Sequence, residues 1–172
     1  MKNTSKLIAA ACVLTASLAT TASFAQATAS ATATGTIVTP ISITEDVNMN
    51  FGNLAVQTAT GGTVVLAPDG SRTVTLGVSL PVTAGTVTAA SFTVTGEAGY
   101  TYAITLPVTD VTLNSGIYTM TANTFTSTPL TAGLLTAGIQ TLTVGATLNV
   151  AAAQPAGVYI TQTPFDVTVN YN

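Results

Sequence analysis

In the stretch "GIQTLTVGATLNV", Leu142, Val144, Ala146, Leu148 and Val150 occupy every second position. Successive side chains on a strand point to opposite faces, so this period of two is the mark of a strand with one apolar face. The same period returns along most of the chain. It constrains the fold more than any other feature, because a helix would scatter these residues around its circumference.

The other runs are separated by turn chemistry. In "GGTVVLAPDGSRTVTLGVSL", Val64 and Leu66 share a face, and Val74, Leu76, Val78 and Leu80 repeat the period after "PDGS". Proline presets one dihedral and glycine supplies a positive one, which predicts a hairpin. "ASFTVTGEAGYTYAITLP" follows the same plan: Phe92 and Val94 alternate, "GEAG" turns, and Tyr100, Tyr102, Ile104 and Leu106 alternate up to Pro107. "VTLNSGIYTM" predicts another hairpin around Asn114, Ser115 and Gly116, and Phe125 marks a further short strand. "MNFGNLAV" is a short strand broken by Gly52. After the turn "AAAQPAG", a strand is expected at Val158 to Thr161 and another in "FDVTVNYN".

Thr, Val and Ile suit a pleated surface, and no helical period is evident beyond the first residues. Many short strands at close spacing imply an all-β sandwich or barrel. The clean alternation gives each sheet one buried and one wet face, which favours an antiparallel two-sheet β-sandwich of immunoglobulin-like or pilin-like type.

The beginning of the chain differs. Lys2 and Lys6 are followed by an apolar run from Leu7 to Leu18, and "ASFA" ends at Ala25 in a small-x-small pattern. A secretory signal peptide over residues 1–25 is expected, with cleavage after Ala25. The run is too short and too broken for a membrane span. Cys12 lies too close to Lys6 for the apolar segment that a lipidation site needs. The expected organisation is then an extension over residues 26–36 and a single domain over residues 37–172. Export would place it in the periplasm, at the cell surface or outside the cell.

From residue 26 onward the chain has no Cys, His, Trp or Lys. One arginine, Arg72, stands against six acids, a formal net charge of −5. Nucleic-acid binding needs several basic residues and is not expected. Acid–base catalysis usually recruits His, and activated Ser or Thr needs a base; both partners are missing. Glu45 and Asp46 are adjacent, so on a strand they point apart. Zinc and iron lack their Cys and His ligands, and no Asp-x-Asp series offers calcium a loop. The chain reads as no enzyme, with no cofactor and no metal. Arg72 reads as a hairpin arginine pairing with Asp69 or a strand neighbour. The tyrosines at 100, 102, 118, 159 and 171 read as core caps rather than a sugar platform.

"QATASATATGTIVTPISI" puts Ala27, Ala29, Ala31, Ala33, Gly35 and Ile37 on one parity and Thr or Ser on the other. Residues 26–36 are either a tether or a donor strand; Ile37 to Ile43 starts the domain's first strand, with Pro40 at an edge or bulge. Proteins usually blunt sheet edges with lysine, charge or proline, and here lysine is absent. A free strand and a poorly guarded edge together permit strand addition between copies, head to tail.

"PISITEDVNMNFGNLA", "GGTVVLAPDGSRT", "SFTVTGEAGYTYAITLP" and "LTVGATLNVAAAQPAGVY…FDVTVNYN" together resemble the bacterial family known as domain of unknown function 4402. That resemblance implies an exported β-sandwich-like domain with no activity to carry over. A second likeness is to chaperone–usher pilins and spore-coat-U-type subunits, on the alternating extension, the all-β body and the penultimate Tyr171. It implies a donor strand at Ala27 to Ile37 and an acceptor groove bordered by Phe165, Val167, Val169 and Tyr171. It also implies a periplasmic chaperone and usher as assembly partners. The disulfide common in such pilins cannot form here, donor strands there carry larger apolar residues than alanine, and Lys–Asn cross-links are excluded. The leading expectation is a fimbria-like or coat subunit. The alternatives are a monomeric module binding a glycan or protein, and a small outer-membrane barrel.

Overall fold

The computed structural model describes residues 25–172, and the expected signal segment up to Phe24 lies outside them. The described chain divides into residues 25–36 and a compact unit from Ile37 to Asn172.

The compact unit is all-β apart from one 3₁₀ turn at Thr136–Gly138. Its strands are β1 (Ser42–Val47), β2 (Ala55–Val56), β3 (Gly62–Leu66), β4 (Arg72–Val74), β5 (Val78–Ser79), β6 (Ala90–Thr95) and β7 (Thr101–Thr105). There follow β8 (Val111–Ser115), β9 (Tyr118–Thr128), β10 (Ala132–Leu134), β11 (Ile139–Val150), β12 (Ile160–Thr161) and β13 (Thr168–Tyr171). All named pairings are antiparallel. An eight-stranded sheet runs β1-β6-β11-β9-β8-β12, with β3 on β11 and β4 on β3. The facing layer is split into a three-stranded sheet, β10-β7-β13, and the pair β2-β5. Among the described residues no pairing joins β1 to β12, so the large sheet is open at both ends.

β11 organises the molecule because its alternation is the longest. Its first half pairs with β6, its second half with β3, and its other edge with β9. Leu142, Val144, Ala146, Leu148 and Val150 are all buried. Burying a Leu or Val side chain contributes roughly 1.5–3 kcal/mol, so this face is the main apolar anchor of the sheet. One core cluster gathers around Val64, Leu66 and Leu148, and a second around Val94, Tyr102 and Leu142. Met49 and Phe125 pack against both.

The "PDGS" hairpin forms as its chemistry dictates. Val64 faces Val74 and Leu66 faces Arg72. Gly70 has φ +84°, and the Ser71 amide donates to Asp69 Oδ1 at 2.8 Å. The hairpin at Gly116 also forms, with Ser115 opposite Tyr118.

Three expectations are corrected. The alternation after Arg72 does not continue as one strand: β4 ends at Val74, and Leu76 is exposed with φ +53°. Gly77 turns the chain there, packed so closely on the Thr60 carbonyl that a side chain would collide. The runs flanking "GEAG" do not pair with each other. β6 pairs with β1 and β11, while β7 pairs with β10 and β13, so the turn carries the chain from one sheet to the other. Phe125 is not in a separate strand; it lies within β9 beside Thr124, whose φ of +50° accompanies a register shift against β11.

Candidate interaction surface

Residues 25–36 belong to no strand or helix and are exposed throughout. Ala27, Ala29, Ala31, Ala33 and Gly35 are therefore uncovered, and Ile37 is 98% exposed. The first strand begins at Ser42, two residues after Pro40.

Among the described residues β1 is an edge, bonded only to β6, and β12 is the opposite edge, bonded only to β8. β13 is bonded only to β7. Along the terminal segment Val169 is buried, and Phe165, Val167 and Tyr171 are half-buried against the second core cluster. These four side chains thus share an inward face, and the segment's outward residues are polar.

Tyr171 closes a compact latch. The Glu97 amide donates to its hydroxyl at 2.6 Å, and the hydroxyl donates to the Thr39 carbonyl at 2.7 Å. The Thr39 amide and hydroxyl both donate to Glu97 Oε2, at 3.0 and 2.8 Å. Tyr100 stacks edge-on against Tyr171, with ring centroids 5.6 Å apart. The "GEAG" turn, the last strand and the base of the N-terminal segment are held together here. The two bonds from Thr39, backbone first, keep the Glu97 carboxyl below its ordinary value of 4.5. Because the folded value is the lower one, the latch contributes its stability above the unfolded value of 4.5 and loses it as pH falls through the folded pKa. Tyr171→Phe removes both hydroxyl bonds and is expected to cost about 2 kcal/mol, roughly 1 for each. Measured by NMR, the Thr39 amide should lose protection in that variant and, in the native chain, on acidification; Glu97→Gln should remove the acid dependence.

Arg72 does not pair with Asp69. Its Nη1 donates to the carbonyls of Phe51 at 2.5 Å and Asn53 at 3.2 Å, bracing the turn at Gly52, where φ is +71°. The tyrosines do not form a shared platform. Tyr102 is fully buried, Tyr159 donates to the Pro155 carbonyl, and Tyr171 is in the latch. Among the described residues no group of three or more acids or other ligating side chains gathers to hold a metal. Asp46 accepts from Thr93, and Asp110 from Asn123, so these carboxylates serve surface strands.

One hollow was not legible in the sequence. A cleft of about 760 Å³ opens between Asn48–Val56 and Gln154–Thr161, over Leu113, Met120, Leu148 and Val150. Among the described residues, no charged one lines it. A smaller hollow of about 120 Å³ adjoins it through Asn48, Met49 and Thr161 and reaches Phe165. The cleft arises where the facing layer is split, and an uncovered stretch between strands leaves no local sequence signal. Two of its polar side chains engage each other and the backbone: Gln154 Nε2 donates to the Thr119 carbonyl and to the Tyr159 hydroxyl, which donates to the Pro155 carbonyl.

A family model described as "Domain of unknown function (DUF4402)" matches residues 41–171. No curated protein and no solved structure matches the chain.

Proposed function

The chain belongs to the DUF4402 family, and since that description names no activity, we propose a function from its surfaces: an exported structural or adhesive surface subunit, fimbria-like or coat-like, that assembles by β-strand addition. The observation that carries this is the pairing of an exposed, uncharged stretch of small residues with sheet edges bonded on one side only. Main-chain hydrogen bonds along such an edge supply affinity, and alternate side chains supply register. Donor and acceptor are different surfaces, so the contact is head-to-tail and propagates. The partners are other copies or related subunits, delivered by a periplasmic chaperone and usher. Solitary edges are usually guarded by lysine, other charge or proline; from residue 26 onward this chain has no lysine, β1 carries Glu45 and Asp46, and β12 carries no charge.

Removal of residues 26–36 tests the reading. The intact chain should sediment as multimers and the shortened one as a monomer of similar melting temperature. If both are monomeric and equally stable, strand addition is wrong. The cleft favours a second reading, a monomeric module that binds a glycan or protein, since concave sites of this size hold ligands. A blank glycan array with the fold intact would count against its glycan form.

A further inference from the structure

We infer that the uncharged cleft between Asn48–Val56 and Gln154–Thr161 is the acceptor for residues 27–37 of a second copy. The inference rests on the strand-addition reading and assigns it a place away from the terminal strand.

The cleft is a slot closed at one end. The Ala153 amide donates to the Gln57 carbonyl at 3.0 Å, which joins the two walls. Beyond that bond they separate. One wall is bonded outward, Asn50 to Thr88 and β2 to β5. In the other wall β12 is bonded to β8 alone. Each wall therefore has a ladder partner on one side only, and backbone groups facing a gap gain from a chain laid between them.

The floor decides what kind of chain fits. Leu148 and Val150 are 3% and 5% exposed, so the core beneath is already filled. An occupant needs to bring backbone and small side chains, not bulky ones. Ala27, Ala29, Ala31, Ala33 and Gly35 are that set, which accounts for a donor ridge of alanines. Charge agrees with shape. Residues 27–44 have no charged side chain, so seating residues 27–37 in the slot strands no side-chain ion away from water. A third hollow, of about 540 Å³, is lined by Asp110 and Asp166, and an occupant there would have to desolvate both. The rim adds apolar surface, since Val158 and Ile160 are 80% and 61% exposed on an edge with no charge to blunt it.

Cysteine cross-linking in the full chain, with Cys12→Ser as background, tests this. One protein carries Ala31→Cys and another Val158→Cys, both exposed positions, and the two are mixed under mild oxidation. A mixed covalent dimer is expected, and it should be lost when Ala156→Trp, also exposed, fills the cleft without lowering the melting temperature. A link to Thr168→Cys on β13 instead of Val158→Cys would overturn the cleft assignment while leaving strand addition standing. Multimers with no link at Val158 would do the same. A link that forms only when both cysteines share one chain would assign the occupant to the same molecule and overturn the inference. Absence of multimers from the intact chain would remove both.

Discussion

Tyr102→Ala is expected to destabilise the domain by about 3–5 kcal/mol, the range for deleting a buried aromatic side chain. Tyr102 is fully buried at the centre of the second core cluster. It also ties the layers together: from β7 in the small sheet its hydroxyl donates to Gln140 Oε1 on β11 at 2.9 Å. The same oxygen accepts from the Leu134 amide at 2.9 Å, so Gln140 holds β10 as well. Tyr102→Phe keeps the ring and leaves Gln140 one donor, so about 1 kcal/mol is expected. Burial raises the pKa of this hydroxyl above its ordinary 10.0. The unfolded tyrosine ionises near that value and the folded one does not. The stability is therefore present below pH 10.0 and lost as pH rises towards the folded pKa. Urea titrations at neutral and alkaline pH check both parts: the alkaline loss should be smaller in Tyr102→Phe than in the native chain. An alanine variant that loses under 1 kcal/mol would mean that the layers do not depend on this contact.

Gly145→Ala should cost about 3 kcal/mol, at the upper end for overpacking a core. Gly145 is buried between Val144 and Ala146, on the face of β11 opposite to theirs, where the backbone leaving β3 lies against it. An added Cβ would collide with the Leu66 carbonyl oxygen and stand 2.8 Å from Ala67 C and 2.9 Å from Pro68 N. All three are backbone atoms, so no flexible side chain can give way. β3 would have to move off β11 where Val64 and Leu66 are buried. A lower urea midpoint with an unchanged slope is the expected signature. A shift near zero would mean that the β3–β11 contact is looser than its geometry implies.

Where local chemistry decided a feature, the sequence disclosed it. β11 was legible because one face is buried along its length, and the "PDGS" hairpin because Asp69 and Gly70 prescribe the turn. The fate of "GEAG" was not legible. Its turn residues look the same whether the chain returns to its own sheet or crosses to another. Tyr102 bonding to Gln140 and Tyr171 bonding to Thr39 decide the matter, and both are long-range. Leu76 misled for a related reason: it continues an apolar period, yet Gly77 has already left the strand. The inward parity of Phe165, Val167, Val169 and Tyr171 was readable, and so was the small-residue ridge. The cleft was not, because it is made by two segments far apart in sequence that fail to meet.

Hydrogen exchange over residues 27–37, followed by mass spectrometry as protein concentration rises, tests strand addition most directly. Amides that enter a ladder with another copy are protected, and exposed amides of a free segment are not. The account predicts fast exchange at low concentration and slow exchange once multimers form. Fast exchange of this segment at every concentration, in a sample whose β11 amides stay protected, would contradict it.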